Sequence, residues 1–312
     1  MSVVCASHCI PRIEFLEMPC CEATVALQTQ RYDGVMTWHS SLNLNYTARD
    51  TAKTTASFVH NGPLRILKSL YPEGDAICHN VLVHPPGGLA GGDVLDISVT
   101  VASGAHGLVT TPSATRFYRS DGDAATQHSR LLLQAGARLE WLPLEAIAHP
   151  GCLADNRLTL QLEPGAEMIG WDVAALGLPH SGQPFDTGSY CQHIEMPGVW
   201  LERGRVQAAD QRLRFSPLGL AGNTCMASLF FAVGSDLPRP RRERALEAAR
   251  HILSTQAVTF PAGATCPNAR VVVVRALAPQ VEPALNLLKQ IWACWRTELW
   301  QLPTAQPRIW AM

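Results

Sequence analysis

The amino-acid sequence predicts a mainly β protein, built of stacked hairpins in a sandwich or an irregular β-solenoid, with two α-helices near the C-terminus. Three observations carry that expectation. Short runs of alternating apolar and polar residues recur over most of the chain, the period of half-buried strands. Three similar turns, Ser103-Gly104-Ala105, Ala135-Gly136-Ala137 and Pro164-Gly165-Ala166, recur at intervals of about 30 residues, a spacing at which β units stack. The last quarter then changes to the 3.6-residue period of amphipathic helices.

Residues 1–36 show neither period and read as an N-terminal arm, with Met36 as a candidate initiator; a single domain is expected over 37–312. Past Trp38, Leu42, Leu44 and Tyr46 alternate with Asn43, Asn45 and Thr47, as in a strand with one wet face. Leu95, Ile97, Val99 and Val101 oppose Asp96, Ser98 and Thr100, and Leu158, Leu160 and Leu162 oppose Thr159 and Gln161. Pro238 and Pro240 precede a helix expected over 240–254, whose stripe is Leu246, Ala249 and Leu253. A strand over Arg270–Arg275 follows. Pro283 opens a second helix over 283–299, with Ala284, Leu288, Ile291, Trp295 and Leu299 on one face and Trp292 and Trp300 adding aromatic area. That face docks on the sheet or on a partner, and the packing need of such a helix favours the sheet.

Composition narrows the function. The chain has 312 residues, 47% hydrophobic and 16% charged, so it is globular rather than disordered. Lys plus Arg is 25 against 26 for Asp plus Glu, which leaves no basic excess for nucleic acid. Apolar runs such as Ala227–Val233, interrupted only by Ser228, and Val271–Val274 fall far short of the roughly 20 residues that span a bilayer. Ten cysteines at irregular spacing, with no secretory signal at the start, predict reduced thiols and a cytoplasmic protein.

The most unusual segment is His84-Pro85-Pro86-Gly87-Gly88-Leu89-Ala90-Gly91-Gly92-Asp93, a loop built for shape. It is no phosphate cradle, because Asp93 stands where a cation is needed, and no dinucleotide fingerprint, because a strand follows it. There is no G-x-S-x-G elbow, and Cys78 beside His79 reads as two strand residues rather than a nucleophile and its base. Cys5-x-x-His8-Cys9 with Cys20-Cys21, and Cys191-x-His193, lack the paired spacing of a zinc site. What remains is a set of acids on β segments: Asp93, Glu140 beside Trp141, Asp172 after Trp171, and Glu202 after Trp200-Leu201. Acids on apolar strands are costly unless paired, hydrated or used. They are either solvated or arginine-paired carboxylates, or the lining of a hydrated passage whose hard oxygens hold a divalent cation loosely.

Several blocks in one order go further. Asn61-Gly62-Pro63-Leu64-Arg65, Tyr71-Pro72-Glu73-Gly74, the His84–Asp93 loop, Thr110-Thr111-Pro112 and Thr115-Arg116-Phe117-Tyr118-Arg119-Ser120 come first. Leu139-Glu140-Trp141-Leu142-Pro143, Trp171-Asp172 and Pro307-Arg308-Ile309-Trp310 complete the set. From about Trp38 to its end the chain resembles the urease accessory protein UreD (UreH) family. The resemblance implies a mainly β, non-enzymatic protein with no tightly bound cofactor. It implies binding to apo-urease and to UreF, which recruits the GTPase UreG, with UreE supplying nickel, and transient passage of Ni2+ through the protein's interior to urease. Carried over to this sequence, Asp93, Thr115, Asp172 and Glu202 match the polar lining of that passage, and Glu140 and Glu145 are added from their place in the motif. The pattern departs at Leu178, where the family has Arg, at Gln183, where it tends to have Glu, and at Arg116, which replaces Lys. Two other readings stand beside the conduit: an assembly chaperone that carries no metal, and a β-rich metal-dependent hydrolase using the same acids with His84 or His149.

Overall fold

The computed structural model describes residues 29–32, 35–49, 53–256, 258–303 and 306–311. Among them the strands form two sheets, of eight and eleven strands. The first runs β1 (Thr29–Tyr32), β2 (Val35–Arg49), β6 (Val94–Val101), β9 (Ala125–Leu133), β12 (Leu153–Leu162), β15 (Ser189–Met196), β16 (Trp200–Gln207), with β3 (Lys53–Asn61) also paired to β2. The second runs β18 (Ala262–Asn268), β19 (Val271–Ala278), β17 (Cys225–Val233), β13 (Glu167–Leu178), β10 (Arg138–Leu142), β7 (His106–Thr110), β5 (Ile77–Val83), β4 (Arg65–Leu70). Short strands β8 (Thr115–Phe117), β11 (Ala146–Ala148) and β14 (Gln183–Pro184) extend it beside the end of β13.

The two sheets are the two walls of a coil. From β5 to β15 the chain crosses repeatedly from one sheet to the other, so β2, β6, β9, β12 and β15 stack in parallel on one wall and β5, β7, β10 and β13 on the other. The three glycine turns make the crossings. In each, the alanine N–H closes the turn at 3.0 Å, Ala105 onto Ala102, Ala137 onto Gln134 and Ala166 onto Glu163. Gly104, Gly136 and Gly165 have φ of 73°, 70° and 79°, the left-handed region that only glycine enters freely. The turns stack on one another: Arg138 N–H donates to Ala105 O and Glu167 N–H to Ala137 O. Of the arrangements the sequence predicts, the solenoid is the one adopted, because these turns change sheet instead of folding a strand back within it.

The alternation read from the sequence sorts as expected. Leu42, Leu44, Tyr46, Leu95, Ile97, Val99, Val101, Leu158 and Leu160 all fill the core between the sheets. Regular structure begins earlier than the expected boundary at residue 37, since β1 pairs with the start of β2. The cysteine cluster at 5–21 lies outside the described residues.

A third layer covers the far side of the second sheet. There Ile169, Trp171, Val173, Leu229, Phe231, Val272 and Val274 meet α2 (Arg239–Thr255) and α3 (Val281–Trp300); α1 (Gln211–Phe215) is a single turn elsewhere. Both helices extend one or two residues beyond the expected spans. The stripe Ala284, Leu288, Ile291, Trp295 and Leu299 is buried, as are Trp292 and Trp300, so this face docks on the sheet and not on a partner. Among the described residues no helix layer covers the first sheet's outer face.

Buried polar bonds fix α3. Arg296, fully buried, forks onto Glu73 at 3.1 and 2.5 Å, and Glu73 also binds His79 at 2.8 Å. Trp292 Nε1 donates to Glu140 at 2.6 Å, Glu140 binds His106 at 3.0 Å, and Trp300 Nε1 and Arg241 both donate to Glu167. Burial alone would raise the Glu73 carboxyl, but hydrogen bonds from His79 and Arg296 and the guanidinium charge hold it below its ordinary value. Removing one member strands the other charge: Glu73→Gln is expected to cost about 3 kcal/mol in urea unfolding at neutral pH. Because the folded value is depressed, this contribution is present above the ordinary value of 4.5 and is lost as pH falls through the lower folded value. The gap between wild type and Glu73→Gln should therefore close in acid, as read from unfolding curves across pH.

Candidate functional site: a polar seam between the sheets

Strand register assembles the site. On the first sheet Leu95, Gln127, Asn156 and Gln192 lie in one row on neighbouring strands, ending at Gly204 on β16. The row faces the second sheet, because Ala154, Leu158, Tyr190 and Ile194, two residues away on either side, all belong to the intersheet core. On the second sheet, Asp172, Ser228, Arg275 and Gly263 form a matching row.

The rows meet at Asp172. Its Oδ1 accepts from Gln192 Nε2 at 2.8 Å and its Oδ2 from Asn156 Nδ2 at 2.9 Å, both side chains of the opposite sheet. Asn156 also donates to the Tyr190 hydroxyl at 3.1 Å and accepts from Gln127 at 3.4 Å. Burial raises the Asp172 carboxyl above its ordinary value; the two amide bonds oppose that shift and the nearby Glu202 adds to it. Gln192 continues the seam into a cavity of about 470 Å³ at the sandwich margin, lined also by Glu202, Met226, Ser228, Arg275, Leu277 and the 261–263 segment. Gly204, beside Gln192, leaves that margin open: a Cβ there would meet nothing within 4 Å. Glu202 ion-pairs with Arg275 through Oε1, while its Oε2 is buried without a hydrogen-bond partner.

The five acids and one hydroxyl singled out from the sequence do not all come together. Asp172 and Glu202 come together in the seam. Thr115 lies in register with Ala146 and Ala174, two residues along from the Asp172 row; Asp93 closes the glycine loop, its oxygens accepting from Trp38 N–H at 2.9 Å and Ala90 N–H at 2.8 Å. Glu140 and Glu145 face the helices, Glu140 on Trp292 and Glu145 near Lys289. The glycine loop is packed as its composition requires, since a Cβ on Gly88 would sit 2.3 Å from the Tyr118 ring.

Other candidates disperse. Cys78 points into the intersheet core while His79 turns to Glu73, so no thiol and base meet. Cys191 accepts from Arg205 Nε at 3.0 Å and His193 binds Glu195, on the outer face of the first sheet. His149 lies against the Tyr118 ring, tilted at 41° with centroids 4.9 Å apart, near Gln183, one of the residues that depart from the family pattern. His84 lies near Asp93. Neither histidine is within hydrogen-bond reach of Asp172 or Glu202, and among the described residues no three His, Cys, Asp or Glu gather around a metal-sized space. Sequence reasoning missed Asn156, Gln192, Ser228 and Arg275. Asn156 and Gln192 did carry a signal: each interrupts an apolar register, Ala154–Leu158–Leu160 and Tyr190–Ile194–Met196.

The family model for the UreD urease accessory protein matches residues 39–311, all but the N-terminal segment and the last residue. This chain belongs to the UreD family. It is 63% identical over 277 residues to the urease accessory protein UreD of Albidiferax ferrireducens and, over the same length, to that of Polaromonas naphthalenivorans, covering 89% of this chain and 100% of each relative. The UreD of Leptothrix cholodnii is 50% identical over 276 residues. The polar seam thus belongs to a urease accessory protein, whose described residues include no helix long and apolar enough to cross a membrane.

Asp172→Asn tests the electrostatics of the seam. Because the folded carboxyl titrates above its ordinary value of 3.8, the ionised form weakens folding increasingly as pH rises through the folded value. The variant, isosteric and neutral, is expected to be at least as stable as wild type at pH 7–8 and to lose that advantage toward about pH 4, by thermal unfolding at each pH.

Proposed function

We propose that this protein is a scaffold in urease maturation that binds apo-urease and UreF, with UreG joining through UreF, and conducts Ni2+ through the seam toward the urease active site. It turns over no substrate and keeps no resident metal. The observation that carries the reading is Asp172: a carboxylate between two sheets, held by amides and, among the described residues, not by an arginine or lysine, one amide away from a cavity that Glu202 lines. Carboxylate, amide carbonyl, hydroxyl and thioether groups are all present there, a mixed set that coordinates a divalent cation without the closed tetrahedral shell of a permanent site. The partners come from the family resemblance. The outer face of the first sheet, which no helix among the described residues covers, offers surface for them.

One observation favours the assembly-chaperone alternative. Asp93, expected in the passage, has both carboxylate oxygens engaged by backbone N–H groups, a loop-closing role that needs no metal. Co-expression with urease and the remaining accessory proteins separates the readings. With Asp172→Asn or Glu202→Gln, the complex with urease should still assemble, while nickel counted on purified urease falls by about tenfold, the scale expected when a polar partner of a metal is removed. Normal nickel content with normal assembly would leave only the chaperone role.

A further inference from the structure

The mouth of the seam is closed by charge. Arg275 lies on the same face of β19 as Val271 and Val273, which fill the intersheet core, so it projects into the gap between the sheets. Its register neighbour on the edge strand β18 is Gly263, which leaves the space beside the guanidinium open. Across the gap the Arg275 Nε donates to Glu202 Oε1 on β16. Among the described residues this is the one ion pair that joins the two sheets. Glu202 is mostly enclosed, with a side-chain exposure of 19%, and Arg275 is more open at 45%, so the guanidinium is the outer partner. The other oxygen, Glu202 Oε2, is buried with no hydrogen-bond partner among the described residues. A buried carboxylate oxygen left unpaired is costly, and here it adjoins a cavity that also presents the Ser228 hydroxyl and the Met226 thioether.

We infer that Arg275 is a cationic latch: its guanidinium is the resident counter-ion of Glu202, and a divalent cation reaches Glu202 by displacing it. The inference rests on the conduit reading and adds how entry is controlled. The latch opens by side-chain movement and exchange of charge, the long arm carrying its planar fork away from the carboxylate. Exchange also selects by valence. A monovalent ion replacing the guanidinium gains no charge at the carboxylate, whereas a divalent ion gains one, and the open margin at Gly204 and Gly263 gives the long side chain room to swing outward.

Nickel titration of the full chain by calorimetry tests the latch, with R275Q and, as a second neutral variant of similar length, R275M. Removing the competing charge should tighten Ni2+ binding by about tenfold, R275K should stay near wild type because it keeps the charge, and R275Q/E202Q should lose the gain. Unchanged or weaker binding in the folded neutral variants, or no measurable binding in any form, would overturn the latch. Nickel loading of co-expressed urease keeps the two ideas apart. Tighter binding in R275Q with normal loading by E202Q would uphold the latch and reject the conduit. Unaltered binding in R275Q with loading lost in E202Q would reject the latch and uphold the conduit.

Discussion

A carboxylate enclosed between two β-sheets must be answered by hydrogen bonds or by charge, or it unfolds what encloses it. Asp172 is answered by amides from the opposite wall, and much of the architecture follows from making that possible. Parallel, in-register stacking of β9, β12 and β15 brings Gln127, Asn156 and Gln192 to one level. A slip of one residue in any of these strands would turn its amide outward and leave the acid alone. The stacked glycine turns hold that register, because each turn's backbone bonds to the next.

The molecule divides its charges between two layers with opposite purposes. Beneath the helices, Glu73, Glu140 and Glu167 are saturated by arginine, histidine and indole donors, an arrangement that fixes α3 and leaves nothing to exchange. Between the sheets, Asp172 is held by neutral amides and Glu202 keeps an unpartnered oxygen, an arrangement that can trade partners. The same residue type is structural in one layer and available in the other. What decides is how fully the surrounding donors occupy the carboxylate oxygens.

The parts of the fold legible in the sequence are those written locally. Strand alternation around Leu42–Tyr46 and Leu95–Val101, the glycine of each crossing turn, and the helical stripe from Ala284 to Leu299 all depend on neighbours a few residues away. The strand period shows that Glu140 lies opposite Leu139 and Trp141, but no local pattern reveals which of those faces meets a helix about 150 residues on, where Trp292 donates to Glu140. Asp172 and Glu202 stand out in the sequence as acids on apolar strands, and the family resemblance adds the expectation of a shared lining. Their partners Asn156, Gln192 and Arg275 are ordinary strand residues until register, a long-range property, brings them together.

A conduit requires that a cation enter the gap between the sheets. Crystals of the full chain soaked in Ni2+, with diffraction recorded on both sides of the nickel absorption edge, locate the metal directly. The account predicts an anomalous peak inside the margin cavity, within coordinating distance of Glu202 and on the Gln192 side leading to Asp172. Peaks confined to the outer face of the first sheet, around His39, His128 or His193, with none between the walls, would contradict it.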